Sequence, residues 1–223
     1  MGEVGSAYAG VRQRMTEILT TSDPAMLVPA CPAWSVRDLA AHVTGVVDDA
    51  LTGRLDGAGS DPWTAAQVDA RRDRSLEEIV AEWAANAPQF EGLLDSIGAP
   101  GQQAVFDVTT HEHDLRGAVG RSGAHDSDAV RIGLGWLAPQ ALAAMATAGL
   151  PPMRLRSTEG DEWSNGEDPS ATLSGSRFEL LRALSGRRSR AQLEALTWTG
   201  ATESHLAAFE FGPFRTPAND IVD

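Results

Sequence analysis

The chain has 223 residues, of which 42% are hydrophobic and 22% charged, the usual balance of a globular protein with its own core. Its formal net charge is −13, which argues against a nucleic-acid partner because phosphate contacts need clustered basic side chains. No apolar run reaches the roughly 18 residues of a membrane span, and the N-terminus lacks the pattern of a signal peptide. With Cys31 as its only cysteine, the chain predicts a cytoplasmic protein without membrane association, either a monomer or a homodimer.

The first half of the chain predicts four helices. Apolar residues recur at helical spacing in three segments, and Ser35 with Asp38 forms a capping-box pattern that should start a helix at Val36. Gly120 is a suitable C-terminal cap for the last one. We expect a glycine-rich loop after the second helix. The predicted helices span residues 4–20, 36–51, 76–97 and 102–119, and together they predict a helical bundle over residues 1–124.

The second half of the chain has a different pattern of predicted secondary structure. The segment GRSGAHDSD at 120–128 reads as a boundary, and residues 125–223 alternate short helical and strand patterns. We therefore expect an α+β protein, in which the bundle is followed by a small α+β domain. Its predicted helices span residues 129–148 and 177–184, and its predicted strands span 153–157, 171–174, 195–199 and 207–211.

Three potential metal ligands lie on the second and fourth predicted helices. Asp107 and His111 are four residues apart, which places both side chains on one helix face, and His42 can supply a third ligand from a second helix. Three protein ligands with one open position are typical of a catalytic metal site. The alternative is an ordinary i, i+4 ion pair and a structural histidine. His113 lies about 200° around the helix from His111, so the two cannot bind one ion.

The periodicity of the helix also suggests roles for residues close to the three potential ligands. Asp114, one turn past His111, can accept the second N–H of that imidazole, and Asp38 could do the same for His42 unless it caps the helix. Glu112 is expected to face solvent or the second domain. His125 and His205, in or near loops, carry no supporting spacing. Cys31 lies between prolines and could be reactive, although a single half-buried thiol is usually inert packing.

The segment CPAWSVRDLAAHVTGV, together with Asp107, His111 and Asp114, resembles the motifs of the mycothiol-dependent maleylpyruvate isomerases and their DinB-like relatives. The stretch LSGSRFELLRALSGRRSRAQLEALTWTG resembles their sterol-carrier-like C-terminal domain. This resemblance implies a DinB-like four-helix bundle that binds one divalent metal, usually zinc, through His42, Asp107 and His111. Asp107 stands where the family usually has glutamate.

The resemblance also implies a reaction. The thiol cofactor mycothiol would bind at the open metal position as a thiolate and add to a small electrophilic carboxylate substrate. Elimination after bond rotation would give isomerisation, whereas release of the adduct would make the enzyme an S-transferase. Arginines should orient the substrate carboxylate, and we select Arg71 and Arg72 as the catalytic candidates. Two alternatives remain open, a metal-dependent hydrolase and a non-catalytic metal-binding protein.

Overall fold

The computed structural model describes residues 2–200, 203–207 and 209–223. It confirms the α+β class, because long helices fill the first half and a small sheet lies in the second. The chain divides into two compact units, residues 1–123 with Asp223, and residues 124–222. Among the described residues, no helix is long and apolar enough to cross a membrane.

Four long helices form the first unit. Helix α1 packs against α4 and α5, and α2 packs against α4 and α5. Its core consists of large apolar side chains, among which Met15, Leu39, Trp83 and Leu115 have no exposed surface. The elements are α1 (Glu3–Leu19), β1 (Leu27–Val28), β2 (Cys31–Ser35), α2 (Val36–Thr52), α3 (Asp61–Asp69), α4 (Leu76–Leu94) and α5 (Ala99–Val119).

The start of α2 follows from its capping box. The Ser35 hydroxyl accepts a hydrogen bond from the Asp38 N–H at 3.3 Å, and Asp38 Oδ2 accepts one from the Ser35 N–H at 2.9 Å. The predicted helix start at Val36 is therefore confirmed. Because the Asp38 carboxylate caps the helix, the alternative role for it as the support of His42 was wrong.

The expected glycine-rich loop after α2 leads into a helix that was not predicted, since α3 begins at Asp61 in the last part of that loop. Its start carries two signals for a helix N-terminus, because the Ser60 hydroxyl accepts from the Trp63 N–H and Pro62 occupies the first turn. This short helix lies very close to α2. A Cβ added at Gly45 would lie 2.5 Å from Gln67 Cβ, so only glycine allows the approach.

The ends of the other predicted helices shift by a few residues. Helix α4 ends at Leu94 rather than Ile97, and α5 begins at Ala99 rather than Gln102. Gly120 adopts the left-handed conformation expected of the cap after α5. The connection before α2 contains the antiparallel pair β1 and β2, which the sequence did not indicate.

The second unit contains a four-stranded sheet. The strand order is β4-β3-β5-β6, with β3 and β5 parallel and the outer pairs antiparallel. Helix α6 packs against α7, which also contacts β3 and β5. The elements are α6 (Asp128–Thr147), β3 (Met153–Ser157), β4 (Glu162–Ser164), β5 (Ala171–Gly175), α7 (Arg177–Leu184), α8 (Arg190–Ala195), β6 (Thr197–Thr199) and α9 (Glu203–Ala207).

One predicted strand of this unit is wrong and three elements were missed. Ala207 ends α9, residues 209–211 form a turn and irregular chain instead of the strand expected at 207–211, and residue 208 lies outside the described residues. The sequence pattern indicated none of the three elements β4, α8 and α9. Helix α8 is a single capped segment of six residues, too short for helical periodicity to stand out.

Candidate metal centre

The three residues singled out from the sequence lie together inside the first unit. His42 comes from α2, and Asp107 and His111 come from α5; one potential ligand atom from each lies within 4.8 Å of the other two. Nε2 of His42 is 3.7 Å from Asp107 Oδ2, and Nε2 of His111 is 3.7 Å from Asp107 Oδ1. Each carboxylate oxygen therefore faces one imidazole nitrogen.

A hydrogen-bond chain fixes the orientation of the His42 ring. Nδ1 of His42 lies 2.8 Å from Gln67 Oε1, and Gln67 Nε2 donates to Asp49 Oδ2 at 2.7 Å. A carboxylate only accepts, so the amide NH₂ must face Asp49 and the amide oxygen must face the imidazole. Nδ1 of His42 therefore carries the proton, and Nε2 presents its lone pair towards Asp107.

His111 is held in the same way by a carboxylate. Its Nδ1 lies 3.2 Å from Asp114 Oδ2, which is the contact expected from the sequence. Because an ionised carboxylate only accepts, the proton again lies on Nδ1 and the lone pair of Nε2 faces Asp107. Both imidazoles thus present the same nitrogen, the arrangement that hydrogen-bond acceptors behind the ring enforce in metal-binding histidines.

Trp34 forms one wall of the centre. Its ring centroid lies 5.1 Å from that of His42 and 5.6 Å from that of His111. The two imidazole rings are nearly perpendicular, with centroids 4.9 Å apart. Trp34 precedes the Ser35 cap of α2, so the capping box that starts the helix also positions this aromatic wall.

The nitrogen–oxygen separations in this group are close to those between neighbouring ligand atoms around a small divalent cation. Bonds to zinc of about 2.0–2.1 Å place neighbouring ligand atoms about 3.3 Å apart in a tetrahedral site. The observed 3.7 Å separations are slightly larger and exceed the range of a good N–H···O hydrogen bond. The shorter side chain of Asp107 therefore still brings one carboxylate oxygen within 3.7 Å of each imidazole nitrogen.

A second group of potential ligands shares His111. Cys31 Sγ lies 3.5 Å from Asp114 Oδ2, and Cys31, His111 and Asp114 also bring one ligand atom each within 4.8 Å of the others. This group would use the opposite side of the His111 ring and would take Asp114 away from its supporting contact. The two groups therefore cannot both form through His111 in its present orientation.

Tyr8 adds a neutral hydroxyl to the surroundings of Asp107. Burial raises the pKa of Tyr8 far above its ordinary value of 10, and the negative charges of Asp107 and Glu91 act in the same direction. The phenol therefore stays protonated at neutral pH.

The remaining histidines lie elsewhere. His113 is fully buried on α5, and His125 stacks on Phe178 with ring centroids 3.8 Å apart. His205 is buried in α9, with Nε2 3.5 Å from Ser170 Oγ. None of these three residues is part of the two ligand groups found among the described residues.

The expectation that Glu112 faces solvent or the second domain was wrong. Its side chain has no exposed surface, and Arg14 donates two hydrogen bonds of 2.7 Å to its two oxygens. Arg116 adds a third at 2.9 Å. The hydrogen bond with Glu112 also raises the pKa of Arg14. Residues on separate helices meet here, which local spacing could not indicate.

The two predicted catalytic arginines lie in ion pairs. Arg71 is buried and contacts Glu82 and Asp48, whereas the mostly exposed Arg72 pairs with Asp69. Arg71 also lines a polar cavity of about 200 Å³ that contains three arginines and three acidic residues. These contacts locate the arginines but do not test their catalytic role, which stays a prediction.

An apolar pocket of about 220 Å³ reaches Asp107 from the outside. Its wall is formed by residues of α2, α3, α4 and α5 and of the loops that follow α2 and α4. Gln103 and Asp107 are its polar side chains among the described residues. The lining residues are Val46, Ala50, Leu55, Ala58, Gly59, Trp63, Phe90, Ile97, Pro100, Gln103, Ala104 and Asp107.

The helical bundle, with two histidines and an aspartate directed to one point, places this protein in the class of helical-bundle proteins with a candidate metal centre. A family model described as the mycothiol maleylpyruvate isomerase N-terminal domain matches residues 11–128, more than half of the chain. The chain therefore belongs to this family, and the resemblance noted in the sequence is confirmed. Because the family is named for an isomerase, the expectation of an enzyme of this kind is confirmed as well.

Solved structures show the same fold over almost the whole chain. A crystal structure of a histidine-to-alanine variant of the mycothiol-dependent maleylpyruvate isomerase matches with a TM-score of 0.62 and 13% identity, covering 91% of this chain and 94% of that one. A second crystal structure of that isomerase matches with a TM-score of 0.55 at the same identity and coverage. No curated protein matches in sequence.

Proposed function

We propose that this protein is a divalent-metal-dependent enzyme that uses mycothiol as its thiol cofactor and acts on a small electrophilic substrate as an isomerase or S-transferase. Family membership supports the thiol and the reaction type. The observation that carries the metal dependence is the placement of His42, Asp107 and His111, with one ligand atom each within 4.8 Å of the others.

Two of the proposed ligands are buried and held by hydrogen bonds, and the third is accessible to solvent. Both imidazoles are almost fully buried, and their Nδ1 atoms are engaged by Gln67 and Asp114. The side chain of Asp107 is 32% exposed and lines the apolar pocket. The histidines would therefore be rigid ligands for the ion. Another molecule can approach the proposed metal site on the side of Asp107.

When bound, the metal, with zinc as the first choice, would lower the pKa of a thiol so that the thiolate is available near neutral pH. Three residues of the chain would orient and cover the proposed ligands. Gln67 and Asp114 keep the Nε2 lone pairs of the histidines available, and Trp34 covers one side of the imidazole rings. Three protein ligands leave a coordination position for the thiol.

The roles of Arg71 and Arg72 remain a prediction of the sequence. A substrate carboxylate at Arg71 would have to displace Glu82 or Asp48, which already bind the guanidinium. Arg72 has a largely exposed side chain and forms an ion pair with Asp69. Neither residue is among those that line the pocket at Asp107.

Isomerase and S-transferase differ only in the step after the addition of the thiolate. Elimination of the thiol after bond rotation returns the cofactor, whereas release of the adduct consumes it. A hydrolase would instead need water at the open position. A non-catalytic metal-binding protein would bind the ion but not mycothiol, so response to the thiol separates the leading proposal from both alternatives.

Thermal unfolding of the full chain with Zn²⁺ and mycothiol tests the proposal. Zn²⁺ should raise the Tm, and mycothiol should raise it further only in the metal-loaded protein, because a ligand at 100 times its Kd stabilises by about 2.7 kcal/mol. His42→Ala and His111→Ala should lose stoichiometric metal in elemental analysis, whereas His113→Ala should keep it for each folded molecule. A metal-loaded wild type that does not respond to mycothiol would refute the thiol-dependent function.

A further inference from the structure

The surroundings of Asp107 include a pocket whose walls are almost entirely apolar. Two residues at its mouth, Leu55 and Ile97, are 50% and 44% exposed, and they are two of the six large hydrophobic residues that stay exposed in the described chain. Exposed apolar side chains that cluster around a concave site mark a ligand-binding surface more often than scattered ones do.

The pocket is continuous with the candidate metal centre by helix geometry. His42, Val46 and Ala50 follow one another at intervals of four on α2, so they share a face. Pro100, Ala104, Asp107 and His111 share a face of α5 for the same reason. Asp107 lies seven residues beyond Pro100, about 10 Å along the helix axis at 1.5 Å per residue, so the pocket lining extends about that far along α5.

The charges around this pocket differ from those around the polar cavity. Asp107 is the single charged residue among the described residues that line it. The indole N–H of Trp63 donates to the Arg54 carbonyl at 3.0 Å, so it offers no donor to a ligand. The Arg54 guanidinium donates to Asp48 and Asp49 and lines the polar cavity instead.

We infer that this pocket binds an uncharged, apolar electrophile, and this assignment of substrate class rests on the proposed function of the neighbouring centre. A carboxylate placed among these apolar wall residues would lose hydration without meeting a cationic side chain. An apolar group would instead exchange water for Val46, Trp63, Phe90 and their neighbours. The class differs from the carboxylate that the family resemblance implies.

A matched pair of ligands tests this inference. Methyl cinnamate and cinnamate share one unsaturated skeleton, and only the second carries a negative charge. Binding to the metal-free full chain, measured by ligand-observed NMR titration, needs neither metal nor thiol. The ester should bind at least about tenfold more tightly than the acid, a difference of about 1.4 kcal/mol. Equal or tighter binding of cinnamate, or no binding of the ester, would overturn the inference.

Two substitutions connect this binding to the pocket. Ala104→Phe should fill the groove and abolish ester binding, whereas Ala84→Phe, on the exposed surface of α4, should leave it unchanged. Ala50→Arg adds a cation to the wall and should shift the preference towards cinnamate. Ester binding that survives Ala104→Phe would overturn the assignment to this pocket. The proposed function is tested separately, since it depends on Zn²⁺ and mycothiol binding rather than on these ligands.

Discussion

Two carboxylates on α5, Asp107 and Glu112, have opposite surroundings. Glu112 has no exposed side-chain surface and receives charge-assisted hydrogen bonds from Arg14 and Arg116. Asp107 is 32% exposed and faces imidazole nitrogens of His42 and His111 at 3.7 Å. Glu112 is neutralised by two permanently charged arginines. Asp107 instead faces two imidazole nitrogen lone pairs at a separation close to that of two ligands on one small ion. The comparison distinguishes a structural acid from a proposed ligand on the same helix.

The largest effect is expected at Asp107. Loss of an outer partner of a metal ligand usually costs 10–100-fold in affinity, so removing the proposed ligand itself with Asp107→Ala should cost more than about 100-fold in Zn²⁺ affinity. Competition with a chromophoric chelator measures this. Asp107→Glu, which keeps the carboxylate, should retain or strengthen binding. An Asp107→Ala protein with wild-type affinity would exclude the residue as a ligand.

The reverse result is expected at Glu112. Glu112→Gln leaves two guanidinium groups without their shared counter-ion and should lower the free energy of unfolding by about 3 kcal/mol. Urea denaturation of the metal-free protein measures the change. Zn²⁺ affinity of the folded protein should stay at the wild-type level. A loss of metal affinity without a loss of stability would reverse the roles assigned to the two carboxylates.

A smaller effect on Zn²⁺ affinity is expected at Gln67, whose side chain accepts a hydrogen bond from His42. Gln67→Met keeps the volume of the side chain but removes the oxygen that accepts from Nδ1, so Zn²⁺ affinity should fall by about tenfold. In the metal-free protein, ¹⁵N NMR should show the proton of His42 on Nδ1 in the wild type and a mixture of tautomers in the variant. Gln102→Met, on the exposed side of α5, is the matched control. A proton on Nε2 in the wild type would contradict the assigned orientation.

The smallest effect concerns the approach of α3 to α2. A Cβ at residue 45 would lie 2.5 Å from Gln67 Cβ, so Gly45→Ala should push α3 away and lower the free energy of unfolding by about 1 kcal/mol. A Cβ at Gly92 meets no atom within 4 Å, and Gly92→Ala should be neutral or stabilising. Chemical denaturation of the two variants compares them. Equal stability would show that the close contact at Gly45 is not required.

The sequence predicted the residues whose placement depends on local geometry. The Ser35–Asp38 capping box fixed the start of α2 and hence the position of His42 on it. The interval of four residues placed Asp107 and His111 on one face of α5 because a regular helix makes that spacing reliable. Asp114 was identified as the partner of His111 by the same rule, and the contact is present.

The sequence analysis missed contacts between elements. Gln67 supports His42 from α3, a nine-residue helix whose two signals, the Ser60 cap and Pro62, were read as part of a loop. Glu112 was assigned to an exposed surface because its partner Arg14 lies on α1, 98 residues away in the chain. Such pairings depend on how helices pack, which the periodicity of one segment does not specify.

Zinc K-edge X-ray absorption of the chain loaded with one equivalent of Zn²⁺ in thiol-free buffer is the most direct test of the proposed centre. Binding by His42, Asp107 and His111 predicts nitrogen and oxygen neighbours at about 2.0–2.1 Å and an unchanged spectrum in Cys31→Ser. A sulfur neighbour at about 2.3 Å would instead place the ion with Cys31, His111 and Asp114 and contradict the proposed ligand set.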